Sequence, residues 1–130
     1  MILVDTHVVL WLAFAPDKIS SNAAAAVADA RKNAISLAIS DITLWELAMA
    51  SKKPRIGLNI SIESFLQEVE ARFLVLPISR RACLRALSLP TMYPRDPADR
   101  IIGATALVEG LPLLTSDREI RRSNAVHTIW

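Results

Sequence analysis

Apolar positions in this chain fall into short continuous runs separated by amphipathic stretches, and the two patterns alternate along its length. Ile2 to Asp5 reads as a short strand, and His7 to Phe14 as a helix that stops at Pro16. Ser21 is placed to cap an alanine-rich helix running to about Asn33, after which "AISLAIS", residues 34–40, is β-branched and strand-like. Ser40 or Asp41 begins the next helix and Pro54 ends it. A helix from about Ile62 to Phe73 leads into a strand from Leu74 to Ile78, and Ser79 caps a helix reaching Leu87. Beyond the loop "SLPTMYPR" come a helix from Pro97 to about Glu109, a strand from Pro112 to Thr115, a short helix after Asp117 and a last strand from Ala125 to Ile129. Strands separated by helices imply an α/β fold with a parallel sheet covered on both faces. Ligands of such folds bind at the carboxyl ends of the strands.

The 130 residues suit one domain, 1–130, large enough to bury a core without disulfides. A hydrophobic content of 52% and a mean hydropathy of +0.34 are high for so short a chain, and predict a fully buried sheet with apolar surface left over for dimerisation. The single cysteine, Cys83, excludes an internal disulfide and a cysteine zinc site, and fits a reducing cytoplasm. The opening "MILVDTHVVLWLAFAP" mimics a secretory signal in its apolar run, but it lacks a basic start and is interrupted by Asp5 and His7. No run is long enough to span a bilayer, so no membrane partner is expected. The formal charge of +2 is too small to argue nucleic acid by itself. The clusters Lys52, Lys53 and Arg55, then Arg80, Arg81 and Arg85, then Arg118, Arg121 and Arg122 read first as solvated helix faces.

Acidic positions carry more information. Asp5 ends the first strand, Asp117 lies just beyond "LLT", and Asp99 falls in the first turn of the helix after "YPRDP", so all three enter from the ligand-binding edge. Glu46 sits mid-helix in the apolar run "SDITLWELAMA", where it can cap nothing, and a bridge to Lys53 is expected on the wrong side of the helix. Bland roles compete at the other positions. Asp5 and Asp117 could each cap the helix that follows, Asp99 at the third helical position is favoured by the helix dipole, and Thr115 and Ser116 could be turn residues. Asp96, followed by Pro97, is expected to cap. Four carboxylates crowded together repel unless a cation neutralises them, and an all-oxygen set suits Mg²⁺ or Mn²⁺. Such a site suits phosphoryl chemistry. Without a phosphate-cradling glycine loop an ATPase or kinase is disfavoured, and neither His7 nor His127 looks positioned for a serine or cysteine triad; His7 reads as a packed or capping histidine.

The segments "VDTHVVLWL", "SDITLWELAM", "YPRDPADRIIGATAL", "LLTSD" and "TIW", in this order over nearly the whole chain, resemble the PIN-domain toxins of VapC type. The resemblance implies a three-layer fold with a parallel sheet of about five strands in the order 3-2-1-4-5, flanked by helices. It implies a Mg²⁺ or Mn²⁺ dependent endoribonuclease, the toxin of a type II toxin-antitoxin pair, cleaving structured RNA such as tRNA or rRNA. Asp5, Glu46 and Asp99 would be the principal catalytic and metal-holding carboxylates and Asp117 the fourth, with Thr6, Asp96, Thr115 and Ser116 in support. Implied partners are a cognate VapB-like antitoxin, operator DNA through that antitoxin only, RNA, and a second copy of the chain. Three neighbourhoods depart from the pattern: Tyr93 and Pro94, Ala98, and the tyrosine-free "RRSNAVHTIW". They bear on groove shape and leave the carboxylates in place.

Two rivals belong to other classes. A catalytically silent module acting through antitoxin and operator DNA would have no reason to keep Glu46 in an apolar helix. An aspartyl phosphotransfer domain using Asp5 would call for a lysine after a late strand, whereas "LLTSD" is followed by Arg118.

Overall fold

The computed structural model describes residues 1–53 and 56–130. Strands β1 (Ile2–Val4), β2 (Leu37–Ser40), β3 (Leu74–Leu76), β4 (Leu113–Leu114) and β5 (Thr128–Ile129) form one sheet in the order β3-β2-β1-β4-β5, with every pairing parallel. Helices α1 (Thr6–Phe14), α2 (Ser21–Lys32), α3 (Asp41–Ala50), α4 (Ile62–Arg72), α5 (Arg80–Leu87), α6 (Pro97–Glu109) and α7 (Arg118–Ser123) connect them. The α/β class and the 3-2-1-4-5 order stand as expected.

Alternation along each central strand divides the core. Val4, Ile39 and Leu114 face one side with Val8, Val27, Leu47 and Phe65. Their neighbours Leu3, Ala38 and Leu113 face the other with Tyr93, Ile102 and Ile120. A sheet buried on both faces explains why its strands read as continuous apolar runs. Apolar side chains are also left outside: Trp45 on α3 is 60% exposed and Leu87 on α5 is 85% exposed.

Several boundaries differ from those read off the sequence. Ser20 caps α2, its hydroxyl accepting from the Ala23 amide at 3.1 Å, and Ser21 is already helical. Residues 34–36 are not strand: Ala34 takes a left-handed φ of 53° that closes α2, the Ile35 amide donates back to the Ala30 carbonyl at 2.8 Å, and only at Ser36, whose carbonyl accepts from the Ile2 amide at 3.1 Å, does the chain reach β1. Strand β3 stops at Leu76 because Pro77 has no amide to donate; the Ile78 amide then donates to Asp41 Oδ2 at 3.3 Å. The last two strands are two residues each, shorter than the runs Pro112 to Thr115 and Ala125 to Ile129, and Asn124 turns the chain at φ 53° ahead of β5. Pro54, the expected stop of α3, lies outside the described residues, and that helix already ends at Ala50.

One glycine is required by packing. A Cβ at Gly103, inside α6, would fall on the Tyr93 hydroxyl, which passes over the helix to donate to the Asp99 carbonyl at 3.1 Å. Tyr93 is 1% exposed and is the largest fully buried side chain. It fastens the loop before α6 to the turn that carries Asp99.

Helices α2 and α6 close with the same backbone reversal, at Ala34 in one and Gly110, φ 65°, in the other. Ala34→Gly is therefore expected to stabilise the protein by about 0.5–1 kcal/mol, a rise of roughly 2–4 °C in a thermal melt. Gly103→Ala would gain about 1 kcal/mol of helix propensity elsewhere, but here displacing a buried tyrosine costs more, and a net loss of about 1–3 kcal/mol is expected by denaturant unfolding.

Candidate active site

The parallel order brings the carboxyl ends of β1, β2 and β4 together. Asp5 leaves β1 as the cap of α1, with Oδ1 accepting from the Thr6 amide at 2.8 Å. Its other oxygen, Oδ2, accepts from the Thr115 hydroxyl at 2.8 Å and lies 3.6 Å from His7 Nδ1. At 3% exposure this carboxylate sits in the core, and it is both a cap and a site residue, the two roles the sequence had set against each other.

Glu46 projects from α3 toward α1, where the Thr6 hydroxyl donates to its Oε1 at 2.6 Å. The same hydroxyl lies 3.1 Å from that of Thr43, a buried residue one turn before Glu46. Sequence reading passed over Thr43, although a hydroxyl one turn from a lone carboxylate on an apolar helix was the available signal. Asp99 stands in the first turn of α6.

Asp5, Thr6, Glu46 and Asp99 line one cavity of about 360 Å³ with His7, Leu10, Met49, Ala50 and Lys53. Lys53 thus stands on the same side as Glu46, because α3 ends at Ala50 and the turn that follows, with the Lys53 amide donating to the Ala50 carbonyl at 2.9 Å, carries it there; the expectation of the opposite face is corrected. It forms no ion pair with Glu46. Two larger cavities, of about 580 and 550 Å³, open elsewhere and contain none of these residues.

Electrostatics follow from this crowding. Burial, then the charges of Asp5, Asp96, Asp117 and Glu46, push the Asp99 carboxyl up to about 7. Burial also raises Glu46, the Thr6 hydrogen bond pulls it back in part, and Asp5 and Asp96 add to the rise. Tyr93 is raised as well, by burial first and then by Asp5, Asp99 and Asp117, so its hydroxyl stays a neutral donor.

The other expected residues stand around the cavity. Asp117 caps α7, its Oδ1 accepting from the Ile120 amide at 3.0 Å, while its charge reaches Asp99. Asp96 occupies the cap position of α6 but its side chain accepts no capping bond, so the capping role expected of it is corrected; what it contributes is negative charge near Glu46 and Asp99. The Thr115 hydroxyl donates to Asp5 and accepts from the Asp117 amide at 3.1 Å. Ser116 turns to His7, with its amide 3.2 Å and its hydroxyl 2.8 Å from Nε2. Ser116, His7 and Asp5 thus stand in a row without forming a catalytic triad, since the Ser116 amide shares Nε2 and the 3.6 Å to Asp5 exceeds a hydrogen bond.

For a divalent cation the donor set of Asp5, Glu46 and Asp99 is suitable, being all oxygen and anionic. The side chains do not yet close on a point: among the described residues no three His, Cys, Asp or Glu side chains stand near enough to hold an ion. Glu46 is turned onto Thr6 instead.

A family model described as the PIN domain matches residues 2–125. The chain is 35% identical over 131 residues to Ribonuclease VapC22 of Mycobacterium tuberculosis, covering 99% of this chain and 98% of that protein. Among solved structures it resembles VapBC2 from Rickettsia felis bound to a promoter DNA fragment, with a TM-score of 0.72, 22% identity and coverage of 98% and 97%. DNA-bound VapBC from Salmonella typhimurium gives a TM-score of 0.70 at 20% identity, with the same coverage. The two structures speak for the fold, and the family match and the curated relative for descent: the chain belongs to the PIN domain family, in its VapC type.

Proposed function

We propose that this protein is a Mg²⁺ or Mn²⁺ dependent endoribonuclease, the toxin of a type II toxin-antitoxin pair, acting on structured RNA such as tRNA or rRNA. The observation that carries the reading is the set of three carboxylates, Asp5, Glu46 and Asp99, lining one cavity at the carboxyl edge of the sheet, with no ion pair to Glu46 or Asp99 among the described residues. Asp5, Glu46 and Asp99 would hold the cation, with Asp117 the fourth carboxylate. When bound, a hard divalent cation activates water at neutral pH and offsets the charge gathering on a phosphate under attack. The chain's own residues set the stage. Thr6 orients Glu46, Thr115 orients Asp5, Tyr93 secures the turn bearing Asp99, and Lys53 at the cavity wall offers a cation to the RNA backbone.

The partners follow the same reading. The two solved relatives are VapBC complexes on DNA, which supports a VapB-like antitoxin here, with operator DNA reached through it. Exposed Trp45 and Leu87 support a homodimer, and the absence of any helix long and apolar enough to cross a membrane among the described residues accords with a cytoplasmic site of action.

Antitoxin-free protein is expected to cut a pool of tRNA and rRNA into discrete fragments with Mg²⁺ or Mn²⁺ and not with EDTA. Asp99→Asn should lower the rate by more than about 100-fold, beyond the 10–100-fold typical of residues behind a metal ligand. Intact RNA under every metal, with folded protein, would favour the silent module.

A second expectation concerns stability without metal. With Asp99 raised from 3.8 to about 7, the folded state holds more protons than the unfolded state across that window. The stabilisation is complete at low pH and is lost as pH rises toward 7, so the melting temperature should fall over the same range. Asp99→Asn should flatten the slope. Glu46→Gln, which keeps an acceptor for Thr6, should melt at or a few degrees above the parent at pH 8; a large drop would show that Glu46 is structurally paired.

A further inference from the structure

His7 is the point at which the first helix, the buried end of β1 and the loop after β4 are joined. A backbone amide can only donate, so the Ser116 amide 3.2 Å from Nε2 makes that nitrogen an acceptor and leaves the ring proton on Nδ1. The Ser116 hydroxyl, 2.8 Å away, shares the same nitrogen. Nδ1–H then faces Asp5 Oδ2 at 3.6 Å, beside the oxygen's bond from Thr115. Trp11 meets the ring edge-on at 5.0 Å, and Trp130 lies against Trp11 at 5.9 Å, so the imidazole is braced from behind.

Two other readings fit less well. A histidine that merely fills space does not need both ring nitrogens directed at polar groups. A nucleophile relay would use Ser116, but the amide of that same serine occupies Nε2, and 3.6 Å to Asp5 is longer than a hydrogen bond.

We propose that His7 is a positioning residue for Asp5: anchored on the Ser116 loop through Nε2, it holds the Nδ1–H dipole 3.6 Å from Asp5 Oδ2, beside the bond from Thr115, and so biases the orientation of the carboxylate. This rests on the nuclease reading above. Groups that orient metal-holding carboxylates from behind are worth about 10–100-fold in metal affinity or rate.

The test begins on metal-free protein. Long-range proton–nitrogen NMR of the imidazole should show the Nδ1–H tautomer for His7, and an Nε2–H tautomer would overturn the proposal whatever the protein's activity. His7→Gln keeps an acceptor for the Ser116 amide without a donor to Asp5, and His7→Asn keeps the donor without reaching Ser116. Both should melt within about 3 °C of the parent without metal, bind Mn²⁺ about 10-fold more weakly by calorimetry, and lose about 10-fold in kcat with the RNA KM unchanged. Parent-like Mn²⁺ affinity in His7→Gln would reduce His7 to a loop anchor and overturn the proposal. A parent that shows the Nδ1–H tautomer yet neither binds Mn²⁺ nor cuts RNA would overturn the nuclease reading, and with it the purpose assigned to His7.

Discussion

A carboxylate at 3% exposure must find donors inside the protein, and much of this structure can be understood as supplying them to Asp5. One comes from its own helix, through the Thr6 amide. Another arrives from Thr115, which reaches Asp5 only because β4 lies in parallel register against β1, with Val4 opposite Leu114. Beside these two donors the His7 ring faces the carboxylate at 3.6 Å, beyond hydrogen-bond reach, held in turn by Ser116. Strand order, register and the short turn after β4 are thus tied to one buried charge.

Around that fixed point the other carboxylates are arranged less tightly. Asp99 and Glu46 are half-buried, burial raises both, and the charge of Glu46 adds to the cost of ionising Asp99. Such a cavity is electrostatically unfinished: it gains stability from a proton at low pH or from a cation at neutral pH. Glu46 is meanwhile held by the hydroxyl of Thr6, and the turn bearing Asp99 by that of Tyr93.

Legibility in the sequence followed the range of the interaction. Glu46 stood out because nothing local could explain a charge on an apolar helix, and Asp5, Asp99 and Asp117 because their positions at strand ends and first helical turns depend only on neighbours in sequence. Element types were readable for the same reason. Strand lengths were not, since an apolar run continues past the point where pairing stops, as it does at Pro77 and around Ala34. The His7–Ser116 bridge spans 109 positions, and the fit of Tyr93 over Gly103 depends on a loop crossing a helix; neither leaves a local trace. Asp96 has the right chemistry for a cap and the right place before Pro97, but whether a side chain bonds the amides beyond it is decided by its rotamer, which neighbours in sequence do not fix.

The first strand of the chain is the middle of the sheet, and the hydroxyl that secures Asp5 lies 110 positions later. During synthesis Asp5, β2 and Glu46 emerge early, but neither β4, the neighbour on the other side of β1, nor Thr115 exists until more than a hundred residues have been made. Contacts so distant in sequence form slowly and late. A nascent chain therefore cannot assemble this cavity early, and the interval before it closes is time in which another protein could meet the chain while its site is still incomplete.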